Sequence, residues 1–297
     1  MSQISSNPLT PPGLDGSAAK TPPSGMSDLP ARLISGVVMI AAALTATKWG
    51  GEYFTIFWLV SSVAIIWEWQ GLIGGARFRL RWIMGAVFLV LACLAVKSLA
   101  PMSAVTLLFI GAGLLALMAQ PGKRVWSALG LLYAGGLLIA VLVLRFSLLW
   151  GYEALLWLFA IVWCTDIMAY FAGRLIGGPK LWPAVSPSKT WSGFLVGTLS
   201  AAIAGWLAVQ IWLSPVEMSS VALLVMGWVT GMIAQGGDLA ESSLKRHFGV
   251  KDSSHLIPGH GGFMDRLDGF TVAAIFAAGL GAWHEGSLLA AHGLLSW

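Results

Sequence analysis

The stretch WSALGLLYAGGLLIAVLVLR, residues 126–145, carries no charge before its last residue, Arg145. A helix of about 20 such residues crosses a hydrocarbon core of ~30 Å. Eight further runs extend outward from it, at 33–48, 53–73, 82–99, 103–119, 153–174, 191–212, 218–237 and 267–294. Across all 297 residues, 57% are apolar and 10% charged, where a soluble domain has roughly 25% charged residues. That composition excludes an ordinary soluble globular protein. The expected fold is all-α: a polytopic helical integral membrane protein with about nine transmembrane helices.

Residues 1–32 hold six prolines among Ser, Thr and Gly, with little to bury, and read as a disordered tail. No secretory cleavage pattern precedes the first apolar run, which is therefore expected to stay as an anchor. The remainder divides into N-terminal transmembrane helices, 33–150, and a C-terminal region, 151–297, that carries the chemistry. Cations set the orientation, because Lys and Arg are retained on the cytoplasmic side of short loops. The tail and the even-numbered loops hold 14 of the 17 cations, and the opposite side holds only Lys48, Lys97 and Arg145. The N-terminus is thus expected in the cytoplasm. The net charge of +4 is too thinly spread to argue for nucleic acid. Cys93 and Cys164 have no metal-site spacing.

The first five spans contain one internal acid, Glu68, between Trp67 and Trp69. An interfacial or helix-pairing role suits it better than chemistry, since an acid near a span end can reach water. Chemistry concentrates further along. Asp166, Tyr170 and Gly173 share one face of the sixth span, with Arg174 beside them. An ionised carboxylate inside a span needs a partner or a polar cavity, so Asp166 is a functional candidate, with a structural Asp–Arg pairing as its alternative. Ser186-Pro187-Ser188-Lys189-Thr190 precedes the seventh span. Ser followed by Pro suits an N-cap and first helical position, and with Lys189 it makes a candidate phosphate site, although Ser-Pro also starts helices that bind nothing.

The eighth loop runs from Gly237-Asp238 through Glu241, Ser242, Lys245-Arg246, Lys251-Asp252 and Pro258-Gly259-His260-Gly261-Gly262 to Asp265-Arg266-Leu267-Asp268. Asp238, Glu241 and Lys245 fall on one helix face. The glycines permit close backbone approach to a ligand, and Asp265 and Asp268 add hard oxygen ligands suited to Mg²⁺. Acids and bases interleaved in this way suggest a metal-bridged polyphosphate site. A solvated loop could hold the same charges, but would seldom re-enter an apolar span through Asp-Arg-x-Asp.

From Ser242 to Asp268 this pattern closely resembles the signature of the bacterial phosphatidate cytidylyltransferase (CDP-diacylglycerol synthase) family. Two further blocks agree, Asp166-x2-Ala169-Tyr170-x2-Gly173-Arg174 and Ser186-Pro187-x-Lys189-Thr190-Trp191-x-Gly193. One position departs: the family commonly has Glu where this chain has Ser192. The resemblance implies transfer of the cytidylyl group of CTP to phosphatidate, giving CDP-diacylglycerol and pyrophosphate in phospholipid biosynthesis. It further implies Mg²⁺ on Asp238 and Asp265, with K⁺ as a candidate at a second position. Asp238, Asp265, Lys189, Lys245, Arg246 and His260 are then the expected catalytic residues. Asp166, Tyr170, Arg174, Ser186, Lys189, Thr190, Lys251, Gly259, Gly261, Gly262, Arg266 and Asp268 are the expected substrate-binding set. His260 could equally pack a turn between glycines. The resemblance suggests a homodimer in the bacterial inner membrane, with the active site facing the cytoplasm. Two rivals fit less well. A CDP-alcohol phosphatidyltransferase needs an Asp-Gly-x2-Ala-Arg motif that is missing, and an ion transporter leaves the phosphate-type ligands unexplained.

Overall fold

The computed structural model describes residues 29–213, 219–257 and 261–297. Within them the helices are α1 (Leu29–Trp49), α2 (Gly51–Ile73), α3 (Phe78–Lys97), α4 (Pro101–Met118), α5 (Arg124–Arg145), α6 (Gly151–Leu175), α7 (Trp191–Trp212), α8 (Ser220–His247), α9 (Met264–Glu285) and α10 (Ala290–Leu295). Strands β1 (Lys180–Trp182) and β2 (Ser186–Thr190) form an antiparallel hairpin between α6 and α7. Among the described residues, seven helices are long and apolar enough to cross a membrane, or eight if α9 and the bent segment after it are one span. The chain is an all-α polytopic membrane protein, relieved by one hairpin.

Several expected boundaries move. Most of the expected N-terminal tail lies outside the described residues, and α1 begins at Leu29, inside the stretch assigned to it. The last run, 267–294, is not one helix. Gly286, at φ 81°, ends α9, and the chain turns by 118° into a 3-10 turn and α10. α10 then lies so close to α9 that a Cβ on Gly281 would sit 1.9 Å from the Ala290 carbonyl. The helix face expected for Asp238, Glu241 and Lys245 is present, because α8 continues past the expected end of its span at residue 237 to His247. Ser186 is not an N-cap; it pairs with Trp182 in the hairpin. Pro187 lacks an N–H and suits such an edge strand. Thr190 is the cap, its Oγ1 accepting from Gly193 N at 3.1 Å.

Lipid tails are as apolar as Leu, so close approach and internal hydrogen bonds hold these helices together rather than a hydrophobic drive. A Cβ on Gly130 of α5 would meet Trp69 of α2 at 2.3 Å. The Trp69 indole donates to Trp126 O at 2.8 Å, and Gln70 and Ser127 bond reciprocally. At one end of the bundle Lys123 donates to Ile73 O, beside the turn that precedes α3. At the other end Arg145 donates to Thr47 O and Lys97 pairs with Glu52.

Candidate active site

At the cation-rich end, α6, β2, α7, α8 and α9 surround a cavity of about 510 Å³. α6 contributes Asp166, Tyr170 and Arg174; the β2–α7 junction contributes Lys189 and Thr190; α8 contributes Asp238; α9 contributes Asp265, Arg266 and Asp268. Four stretches of sequence, spread from Asp166 to Asp268, thus meet around one space. Glycines allow it: a Cβ on Gly193 would lie 2.7 Å from Ala169 O, and one on Gly269 would lie 2.8 Å from Ala234 O. Bulkier residues would push α7 off α6 and α9 off α8.

The lining carries four carboxylates and three basic side chains, Arg174, Lys189 and Arg266. Lys189 Nζ is 2.5 Å from Asp238 Oδ2, and Ser242 Oγ reaches Asp238 Oδ1 at 3.4 Å. Arg174 donates to the Tyr170 hydroxyl at 3.1 Å. Asp166 and Asp268 lie within electrostatic reach of Asp238 and Lys189. An acid-rich cavity repels a polyphosphate unless further cations enter, and hard carboxylate oxygens suit Mg²⁺. The donor set therefore fits that ion. Among the described residues, however, no group of three or more His, Cys, Asp or Glu forms a ready metal nest. Among the described residues no separate cluster marks a second position for K⁺.

Asp265 is held differently. Its Oδ1 accepts from Lys245 Nζ at 2.6 Å, and its Oδ2 accepts from Ser253 N, Ser253 Oγ and Gly262 N at 2.9, 2.9 and 2.8 Å. A metal on Asp265 would have to displace one of these donors, and the Lys245 ammonium already supplies positive charge there. Lys245 also pairs with buried Glu241 at 2.7 Å. The shared face of Asp238, Glu241 and Lys245 is thus split: Asp238 meets the cavity, while the other two brace Asp265.

Glu68 is the residue that sequence reasoning undervalued. It is 1% exposed, so of the two roles expected for it the interfacial one fails and the helix-pairing one holds. It accepts from Ser254 Oγ at 2.6 Å, Ser253 Oγ at 3.2 Å, Phe263 N at 2.9 Å and Met264 N at 2.7 Å. A carboxylate from α2 thereby caps the start of α9, satisfying N–H groups that have no partner within the helix. Gly262 is tied to the same clamp, since a Cβ there would lie 2.1 Å from Ser253 Oγ and 2.4 Å from Glu68 Oε1. Its small size makes room for Glu68.

Other expected site residues stand outside the cavity lining. Ser186 lies in the hairpin, and Gly261, at φ 85°, forms an isolated bridge with Ile257. Arg246 donates to Val250 O at 3.2 Å, and Lys251 is exposed. Gly259 and His260 fall outside the described residues. Ser192 bonds Gly177 O and the Thr190 hydroxyl, tying the start of α7 to the end of the α6 turn.

Residues 30–282 match the model of the cytidylyltransferase family. The chain is 36% identical over 250 residues to a phosphatidate cytidylyltransferase of Brucella abortus, covering 84% of this chain and 92% of that one. The figures are the same for the Brucella melitensis protein of that name. A Staphylococcus epidermidis phosphatidate cytidylyltransferase is 48% identical over 120 residues, 40% of this chain and 45% of that one.

Proposed function

The chain belongs to the cytidylyltransferase family, and from that premise we infer that it transfers the cytidylyl group of CTP to phosphatidate, releasing pyrophosphate and forming CDP-diacylglycerol. One observation supports this most: a single cavity lined by Asp166, Asp238, Asp265 and Asp268 together with Lys189, Arg174 and Arg266. An oxygen of the lipid phosphate attacks the α-phosphorus of CTP. The attacker is already anionic, so no strong base is required, and neutralising and aligning the phosphates supplies most of the catalysis.

Lys189 and Arg266 hold phosphates of the two substrates, and the capped start of α7 behind Thr190 offers N–H groups to an anion. Arg174 and Tyr170 line the wall facing them. Asp238 would hold Mg²⁺, which when bound offsets the charge of the triphosphate, and Asp265, the second ligand that the resemblance implies, would join it only by giving up one of its protein donors. Lys245 sets the position of Asp265. Arg246 and Lys251, at the same end, attract the polyanion before it binds. His260 hydrogen-bonding the departing pyrophosphate is proposed from the sequence motif alone.

The wider arrangement follows from the cation asymmetry. α1 serves as the ninth span, the N-terminus and the cavity face the cytoplasm, and the protein resides in the bacterial inner membrane. Residues 33–150 form a supporting half and 151–297 the catalytic half. A homodimer is the assembly that the resemblance suggests. An impermeant thiol reagent on intact cells should miss cysteines introduced at 180–190 and 245–257 and reach the C-terminal tail; the reverse pattern overturns the orientation. The assignment itself is tested with purified protein, labelled CTP, phosphatidate and Mg²⁺. CDP-diacylglycerol should form, and its absence from active, folded protein would reject the reading.

A further inference from the structure

A second cavity, of about 370 Å³, lies between α1, α2, α6 and α9. It falls within the usual size range of small-molecule sites, roughly 300–1,000 Å³. Its walls are apolar apart from Ser61, Asp166 and Arg266, and the last two also line the catalytic cavity. The two spaces therefore share one polar boundary. One wall is a ladder of stacked rings across three helices. Trp58 of α2 stacks on Phe270 of α9 at 5.2 Å, Phe270 on Phe159 of α6 at 5.1 Å, and Phe159 on Trp163 at 5.1 Å. The facing wall is α1, with Val38 and Ala42 among its contributors.

We propose that this cavity seats an acyl chain of the lipid substrate, with the lipid phosphate at Arg266 where the cavity borders the catalytic site. The proposal rests on the lipid-cytidylyl reading above. Three features commit it to this occupant. The stacked rings form a rigid apolar surface that needs no rearrangement to receive a hydrocarbon chain. The polar boundary puts a cation and the reaction centre at one end only, which matches a molecule apolar along its length and anionic at its head. The lining elements otherwise meet lipid, since Val38 is 59% exposed. Lipid already in a bilayer gains little free energy by entering an apolar groove. The cavity therefore acts by holding the phosphate in line, as an orienting device rather than a source of affinity.

The test uses the full chain in nanodiscs with a phosphatidate bearing a diazirine within one acyl chain. Crosslinks should map to Val38, Trp163 and Phe270, and unlabelled phosphatidate should suppress them more strongly than diacylglycerol, which lacks the phosphate. Labels spread over the lipid-facing surfaces of α3 and α4, or equal suppression by diacylglycerol, would overturn the proposal. So would intrachain crosslinks from a photoreactive residue at position 38 to residues before Leu29, which would assign the space to the chain's own N-terminal segment. Filling the cavity provides a second arm. Ala42→Phe should raise the apparent KM for dioleoyl phosphatidate about tenfold while leaving that for CTP within twofold, and Val38→Trp, at an exposed position, should do the same. Wild-type KM values for both variants would also reject the site. Crosslinking does not need turnover, so a wild-type enzyme that binds lipid in the cavity yet makes no CDP-diacylglycerol would refute the reaction and leave the lipid site standing.

Discussion

Glu68 and Asp265 sit where the turn before α9 meets α2, and together they accept eight hydrogen bonds from named protein donors. In the cavity, Asp238 has the Lys189 ammonium and one long contact from Ser242, while Asp268 accepts from the N–H of Gly269. The same functional group is thus used in two ways. In the turn, lone pairs are spent on backbone and hydroxyl donors, which fixes a loop that would otherwise lack regular structure. In the cavity, lone pairs are left facing open space, which suits ions and phosphates. Carboxylate count alone does not mark an active site; donor saturation separates the clamp from the cavity.

The largest expected effect tests the cavity side. Asp238→Asn keeps size and removes charge, so kcat/KM should fall on the order of 10³-fold while the protein still inserts and purifies. Near-normal turnover at ordinary Mg²⁺ would mean that an unsaturated carboxylate is not what the reaction uses.

Lys189 comes next, because it is the cation bound to Asp238. Lys189→Met should lower turnover by roughly 10–100-fold, or raise the apparent KM of CTP or phosphatidate correspondingly. The Mg²⁺ activation midpoint should move less than in Asp238→Asn. Arg should recover only part of the loss, since a planar fork does not occupy the site of a compact ammonium. Steady-state kinetics with both substrates varied decides this, and full rescue by Arg would make Lys189 a membrane anchor.

The clamp side should respond mainly in stability. Glu68→Ala strands the N–H groups of Phe263 and Met264, each unmade buried bond costing ~1–3 kcal/mol. Thermal unfolding in detergent should therefore shift well below wild type, with a smaller loss of kcat than at Asp238. Glu68→Gln, which keeps the acceptor oxygen, should restore part of both. A Glu68→Ala protein with wild-type unfolding and hundredfold slower turnover would place Glu68 among the cavity carboxylates and erase the distinction.

The smallest effect is expected at Ser192. Its hydroxyl bonds only Gly177 O and Thr190 Oγ1 among the described contacts, so Ser192→Ala should cost about 1 kcal/mol of stability and leave turnover close to wild type. A large loss of activity would show that this hydroxyl replaces the Glu common at the position in the resembling family.

Legibility in the sequence followed the range of the interactions. The spans were readable because a membrane demands a continuous apolar run, and that demand is local. Asp166, Lys189, Asp238 and Asp268 were readable because acids and bases near span ends stand out against an apolar background. The hairpin was not: Ser186-Pro187 has the local chemistry of a helix start, and only pairing with Trp182 makes it a strand. The break at Gly286 was hidden because the apolar run continues through it. Whether that run stays straight depends on α10 finding a close seat against Gly281.

By itself, then, the sequence determined a helical membrane protein with its ionisable residues gathered toward one end, because desolvating a charge or an open backbone in lipid costs too much for any other arrangement. Only the tertiary structure decided which acids are committed to protein donors and which face the cavity. Glu68 lies 185 residues from Ser253, and no spacing rule joins them. Its role exists only once α2 packs beside the turn before α9 and Gly262 leaves room for its carboxylate.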